Sequence, residues 1–230
     1  MRSAVVVTGF GPFGSHLVNL SWTVAQTLKE EGLEEDDIDI YIKEIPVSYC
    51  RAKEILGGIW EEVQPEFAVH LGIHAGAKAI TLEQTGKNRG YEHTDICGQC
   101  PSGHCCVEGG MDKLDSIINM NALTKKLRAE GVDVIYSKDA GRYLCDFAYY
   151  YSLHCGKRRA AFIHLPTKGP QATPEKLVAQ LRIIILRMLR EARGLSDGDI
   201  QVSSSSSSAD RSAPQERAQQ IIQPVQCPTL

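Results

Sequence analysis

The sequence predicts an α/β protein: a three-layer α/β/α sandwich on a mainly parallel twisted sheet, folded as a single domain. Two observations predict it. Short β-branched runs alternate along the chain with segments whose apolar residues recur at helical spacing, the pattern of a mainly parallel sheet covered on both faces. With 230 residues, 43% hydrophobic and 23% charged, the chain is long enough for one well-buried domain plus a tail.

Each element has its own signal. Residues 4–8 form a nearly continuous apolar run ending at Gly9, as a strand buried on both faces would. Leu20, Val24 and Leu28 repeat at helical spacing, and Gly32 supplies a stop. Residues 38–45 alternate apolar and polar, like a strand with one face less buried. Ala52, Ile55, Leu56, Ile59 and Val63 predict a second helix, stopped by Pro65. A third strand follows at 67–73. Residues 84–118 have no clear period and many turn formers, so they are read as a long excursion from the core.

Leu123 and Leu127 then predict a helix ending at Gly131, followed by a strand at 132–136. Residues 143–154 read as an aromatic helix and 160–165 as another buried strand. Thr173-Pro174 places an N-cap before a first-turn proline. The helix it opens carries Leu177, Leu181, Ile184, Ile185 and Met188 on one face and closes at Gly194. From Ser196 the chain turns polar and contains an unbroken serine run at 203–208. Such a segment buries too little surface to offset its ordering entropy, which predicts a disordered Ser-rich tail over 196–230 and a folded domain over 1–195.

Charge and cysteine usage narrow the class. The formal net charge is −3 and the basic residues are scattered, so neither nucleic acid nor a membrane surface is expected as partner. The apolar stretch at 4–7 is too short for a secretory core, and 177–189 is interrupted by Arg182 and Arg187 and too short for a bilayer. The eight cysteines are therefore expected as reduced thiols in the cytosol.

Gly9-Phe10-Gly11-Pro12-Phe13-Gly14 matches G-x-G-x-x-G after a strand, the spacing of a dinucleotide loop. Three features weigh against phosphate binding. Pro12 removes one N–H from a loop whose task would be donating them. Two phenylalanines crowd the approach, and the helical pattern starts only near Leu20. The alternatives are a glycine-rich turn with both rings in the core, or two rings walling a small apolar pocket.

Cys145 falls between a strand and a helix with Arg142 just upstream, and a helix N-terminus and a cation both favour thiolate. A buried structural cysteine is the competing reading. His164 lies near the end of a buried strand, one of seven histidines that compete for the role of base. Glu83 follows the third strand and its glycine turn. Spacing alone does not bring these three together.

At these residues the sequence strongly resembles the pyroglutamyl-peptidase I family of cysteine peptidases. The resemblance rests on T-G-F-G-P-F-G at 8–14, V-N-L-S-W at 18–22, E-I-P-V at 44–47, T-L-E at 81–83 and N-R-G-Y at 88–91. D-A-G-R-Y-L-C-D-F at 139–147 and A-F-I-H at 161–164 complete the set. It spans about residues 1–193 and looks closest to the vertebrate branch, which shares a cysteine-rich segment like 97–106. The resemblance implies Cys145 as nucleophile, His164 as base, Glu83 as the acid orienting it, and Phe10 and Phe13 as an aromatic clamp on the substrate ring. It implies N-terminally pyroglutamylated peptides as substrates, a thioester intermediate, and no metal or cofactor.

His74 and Thr167 depart from the family pattern, and the tail has no counterpart in it. These departures suit a paralogue, and keep open a catalytically weak protein that binds pyroglutamyl peptides. A second alternative is a zinc-binding interaction protein using Cys97, Cys100, Cys105 and Cys106, with His104 as a further donor.

Overall fold

The computed structural model describes residues 2–14, 17–33, 35 and 37–195. The expected tail over 196–230 lies outside the described residues. Met1–Leu195 forms one compact unit.

In chain order the elements are β1 (Ser3–Phe10), α1 (Leu20–Glu31), β2 (Ile38–Ile45), α2 (Tyr49–Gly58), β3 (Phe67–His74), β4 (Ile80–Glu83), β5 (Thr85–Lys87), β6 (Lys113–Asp115), α3 (Met120–Ala129), β7 (Val134–Ser137), α4 (Leu144–Cys155), β8 (Ala160–Pro166) and α5 (Pro174–Ala192). Six strands form one sheet in the order β2-β1-β3-β8-β4-β7. β2, β1, β3 and β8 run parallel, whereas β4 is antiparallel to β8 and parallel to β7.

Strand alternation sorts the sheet into two faces. Val5 and Val7 of β1, Phe67, Val69 and Leu71 of β3, and Ala161, Ile163 and Leu165 of β8 pack under α1, α3 and α5. Helix α5 contributes Leu177, Leu181, Ile184, Ile185 and Met188, all essentially inaccessible, each worth about 1.5–3 kcal/mol of transfer energy. The intervening residues Val6, Phe10, Ala68, Ala160 and Phe162 face α2 and α4. His70, Gly72, His164, Thr81 and Glu83 have the parity of this second set. The chemistry-bearing residues thus share one face because the sequence alternates with period two.

One expectation is corrected. The second helix does not run unbroken to Val63: α2 ends at Gly58 and continues as a wider π-helical turn, Ile59–Val63, before left-handed Gln64 and Pro65. Glu83 comes after β3 and its glycine turn, and it ends a short strand of its own, β4.

The excursion after β4 is ordered by side chains, not by periodicity. β5 and β6 form a two-stranded antiparallel sheet. Buried Asn88 donates to the carbonyls of Val107 and Gly110 and accepts the N–H of Val107. Asp95 accepts the N–H groups of Cys97 and Gln99, and its other oxygen accepts Tyr49 N–H at 3.0 Å, capping the start of α2. Tyr150 of α4 donates to the Met111 carbonyl at 2.6 Å, and a Cβ on Gly86 would lie 2.9 Å from the Tyr150 Cα. The excursion is therefore laid directly on α4.

The glycine-rich loop is tied to α1. Asn19 donates to the Gly11 carbonyl and accepts Ser21 N–H, while Ser21 Oγ accepts Phe10 N–H. A Cβ on Gly9 would come within 2.5 Å of the Ser21 carbonyl oxygen, so the glycine permits close strand–helix packing. Gly9→Ala is expected to destabilise the fold by about 1–3 kcal/mol, the usual range for forced overpacking. An unchanged urea midpoint for this variant would contradict that packing.

Candidate active site

The site is assembled across β8, β4 and the start of α4. His164 and Thr81 are register partners on antiparallel β8 and β4, and Glu83 pairs one step along with Phe162. This places the Glu83 carboxylate diagonally under the imidazole, with His164 Nδ1 2.9 Å from Glu83 Oε1. The carboxylate accepts from Nδ1–H, which leaves Nε2 for a second partner. The Cys145 side chain lies near enough to the ring to raise its hold on a proton. Glu83 and His164 are 2% and 6% exposed, so their attraction acts in a poorly screened environment.

Cys145 is the second residue of α4, where backbone N–H groups lack intrahelical acceptors. Its sulfur is seated by the lack of a side chain opposite: a Cβ on Gly72 would lie 3.0 Å from Cys145 Sγ. Gly72 is also the register partner of His164 across β3 and β8. The expectation that Arg142 would sit as a cation beside the sulfur takes a different form. Its guanidinium pairs with Asp139 at 2.7 Å and with buried Asp146 at 3.4 Å. Asp146 also accepts Lys87 N–H and Tyr91 O–H. Burial, opposed by these contacts, pushes its carboxyl up to about 7. Arg142 thus braces the first turn of α4.

Burial lowers the tendency of His164 to hold a proton, but the hydrogen bonds to Cys145 and Glu83 outweigh it and raise its pKa to about 10. The direction follows from the carboxylate on Nδ1 and the sulfur beside the ring. His70, on the same sheet face, is committed elsewhere. Its Nδ1 meets Thr8 Oγ1 at 2.8 Å, its Nε2 meets Ser152 Oγ at 2.7 Å, and burial depresses it to about 3. Trp60 donates to the same Ser152 oxygen, which closes a structural network away from the sulfur.

Two cavities flank the Cys145–His164 pair. On the sulfur side a narrow slot of about 30 Å3 is lined by Phe10, Phe13, Val47, Ile73, Tyr143 and Cys145. Asn19 also reaches it, but its amide is spent on Gly11 and Ser21, so the walls are mostly apolar. Phe10 packs against Phe162 with centroids 6.4 Å apart. On the imidazole side a cavity of about 530 Å3 is bounded by Thr81, Glu83, Ile135, Ser137 and the turns at 74–79 and 139–141. His74 belongs to this second cavity, its ring 5.5 Å from that of His164, and does not line the phenylalanine slot. Thr167 follows the end of β8 and lines neither cavity.

The slot residues missed by sequence reasoning are Asn19, Val47, Ile73, Tyr143 and Leu144. Asn19, Val47, Tyr143 and Leu144 lie within the matched motifs, a signal that could have identified them.

The cysteine-rich segment does not gather into a metal site: among the described residues no three His, Cys, Asp or Glu side chains are placed to hold an ion. Cys50, Cys100, Cys105, Cys106, Cys145 and Cys155 are free thiols, whereas Cys97 is disulfide-bonded, which departs from the all-reduced expectation. Among the described residues no helix is long and apolar enough to cross a membrane.

A carboxylate hydrogen-bonded to an imidazole, with a thiol beside the ring, on an α/β sheet defines an enzyme class that transfers or hydrolyses acyl groups through sulfur. The comparisons make the class specific. A family model described as pyroglutamyl peptidase matches residues 3–185. Pyroglutamyl-peptidase 1 of Rattus norvegicus is 47% identical over 190 residues, covering 82% of this chain and 90% of that protein. The Homo sapiens pyroglutamyl-peptidase 1-like protein is 47% identical over 157 residues, covering 68% and 80%. The crystal structure of pyrrolidone carboxyl peptidase from Fervidobacterium islandicum AW-1 superposes with a TM-score of 0.73 at 29% identity, covering 83% of this chain and 99% of that one. The chain belongs to the pyroglutamyl peptidase family of cysteine peptidases.

Because the folded pKa of His164 lies above its ordinary 6.5, its protonated form stabilises the protein fully below about pH 6.5, and that contribution is lost as pH rises toward 10. Glu83→Gln removes the anion and is expected to lower the imidazole titration midpoint by about one to three pH units. NMR titration of the His164 ring measures this; an unmoved midpoint would show that the carboxylate does not govern the imidazole.

Proposed function

We propose that the chain hydrolyses N-terminal pyroglutamate from peptides with Cys145, His164 and Glu83 as its catalytic residues, and that the acyl group passes through a thioester. The observation that carries this reading is the Glu83–His164 hydrogen bond with Cys145 beside the imidazole, set against the phenylalanine-walled slot. The family's reaction suits that slot: the lactam ring is neutral and lacks a free amine, so a narrow apolar wall fits it better than a charged pocket. Phe10 and Phe13 serve as its aromatic walls.

The steps follow from the geometry. The Cys145 thiolate attacks the pyroglutamyl carbonyl carbon and forms an S–C bond. Unsatisfied N–H groups at the start of α4 lie where they can receive the developing oxyanion. As the C–N bond breaks, His164 Nε2–H protonates the departing amine. A water then attacks the thioester, giving its proton to Nε2, and the sulfur leaves as thiolate. Glu83 keeps Nδ1 protonated and the ring in position throughout. No metal or cofactor has a step in this reaction. The catalytic unit in this reading is residues 1–195, and its compartment is the cytosol, where a nucleophilic thiol remains reduced.

Pyroglutamyl-aminomethylcoumarin should be cleaved by the wild-type protein. Cys145→Ser and His164→Ala should each lower kcat/KM at least about a thousandfold. Phe13→Ala should act mainly on KM, because the clamp binds substrate and transition state alike. Full activity in Cys145→Ser would refute the assignment of the nucleophile, and an unchanged KM in Phe13→Ala would refute that of the slot.

A further inference from the structure

We infer that the cavity on the imidazole side of the site receives the residue that follows pyroglutamate, and that Lys78 makes it favour an acidic side chain there. The inference rests on the peptidase reading above and extends it to the leaving half of the substrate. Its first ground is the polarity of the catalytic line. The ring slot lies on the sulfur side of the Cys145–His164 pair, and the proton donor to the departing amine is His164. The chain attached to that amine therefore leaves past the imidazole, where a cavity of about 530 Å3 opens.

The second ground is how that cavity is built. Its floor comes from the parallel pair β4 and β7, where Thr81 opposes Ile135 and Glu83 opposes Ser137 in register. Alternation turns these residues to one face, so the floor is rigid and set by the sheet. Ala77, Ala79, Ile135 and Ala140 give it a body that suits the aliphatic stem of a side chain.

The third ground is charge. The charged or titratable groups lining the cavity are His74, Lys78, Glu83, Asp139 and His164. Glu83 is bound to His164. Asp139 is neutralised by Lys87 at 2.8 Å and Arg142 at 2.7 Å. His74 leans on the ring of His164. Lys78, exposed on the turn after β3, has no ion pair among the described residues, so its ammonium group is the cavity's uncommitted charge. A side chain with an aliphatic stem and a terminal carboxylate matches both features, whereas a cationic one meets repulsion.

The test measures pyroglutamate release from pyroglutamyl-Glu, pyroglutamyl-Leu and pyroglutamyl-Lys peptide amides by the wild-type protein and by Lys78→Glu. In the wild type, kcat/KM for the Glu peptide should exceed that for the Lys peptide by about threefold to fivefold, as expected for one partly exposed charge. The ratio should shrink toward one in high salt and invert in Lys78→Glu. Equal Glu-to-Lys ratios in both proteins, with all three peptides cleaved, would overturn the subsite and leave the peptidase reading standing. Failure of the wild type to release pyroglutamate from any of the three would overturn both.

Discussion

The contact on which the site depends is the buried hydrogen bond between His164 and Glu83. Two ionisable groups held out of water are costly unless each satisfies the other, and removing one partner leaves the other charge stranded. The 2.9 Å contact follows from the antiparallel pairing of β4 and β8, whose register sets Glu83 two positions along from the Thr81–His164 pair and so diagonally under the ring. In an otherwise parallel run of strands this reversal is a geometric constraint. It determines which residues reach the floor beside the imidazole and which way the His164 ring points. Gly72, the register partner of His164 on β3, then leaves the room that the Cys145 sulfur occupies.

Much of the sandwich was legible because period-two and period-3.6 patterns report burial directly. The helix from Leu20 to Gly32, the strand at 38–45 and the helix opened by Pro174 were readable to within a residue or two. β4 was not, because four residues carry too little pattern to separate a strand from the turn before it. The break at Gly58 was hidden because a π turn keeps nearly the same apolar stripe as the helix it extends. The excursion after β4 was opaque for another reason. Asn88, Asp95 and Asp146 organise it through side-chain bonds to distant backbone, which no local periodicity encodes.

The candidate site was legible unevenly. Local chemistry marked Cys145 as near a helix start, and the helix does begin one residue before it. What spacing did not reveal is that Arg142, which looked like an activating cation, is absorbed by Asp139 and Asp146. The meeting of Glu83, His164 and Cys145 followed only from resemblance at the sequence level, because 81 positions separate Glu83 from His164 along the chain. The glycine loop illustrates how one motif serves two chemistries. Gly9 is required by the backbone of α1, and the rings at Phe10 and Phe13 face a slot, so the spacing arises without any phosphate.

The docking of the excursion on α4 has a consequence for how the molecule opens. Asp95 caps α2 from 46 residues away, Tyr150 anchors Met111, and Asp146 joins Lys87 and Tyr91 to the first turn of α4. Neither the start of α2 nor the start of α4 can fray without releasing the same cluster. These three segments therefore form one cooperative unit of local unfolding, with a shared opening free energy for their amide protons. Cys145 is held against independent motion of its helix by a segment that itself has no regular structure over most of its length.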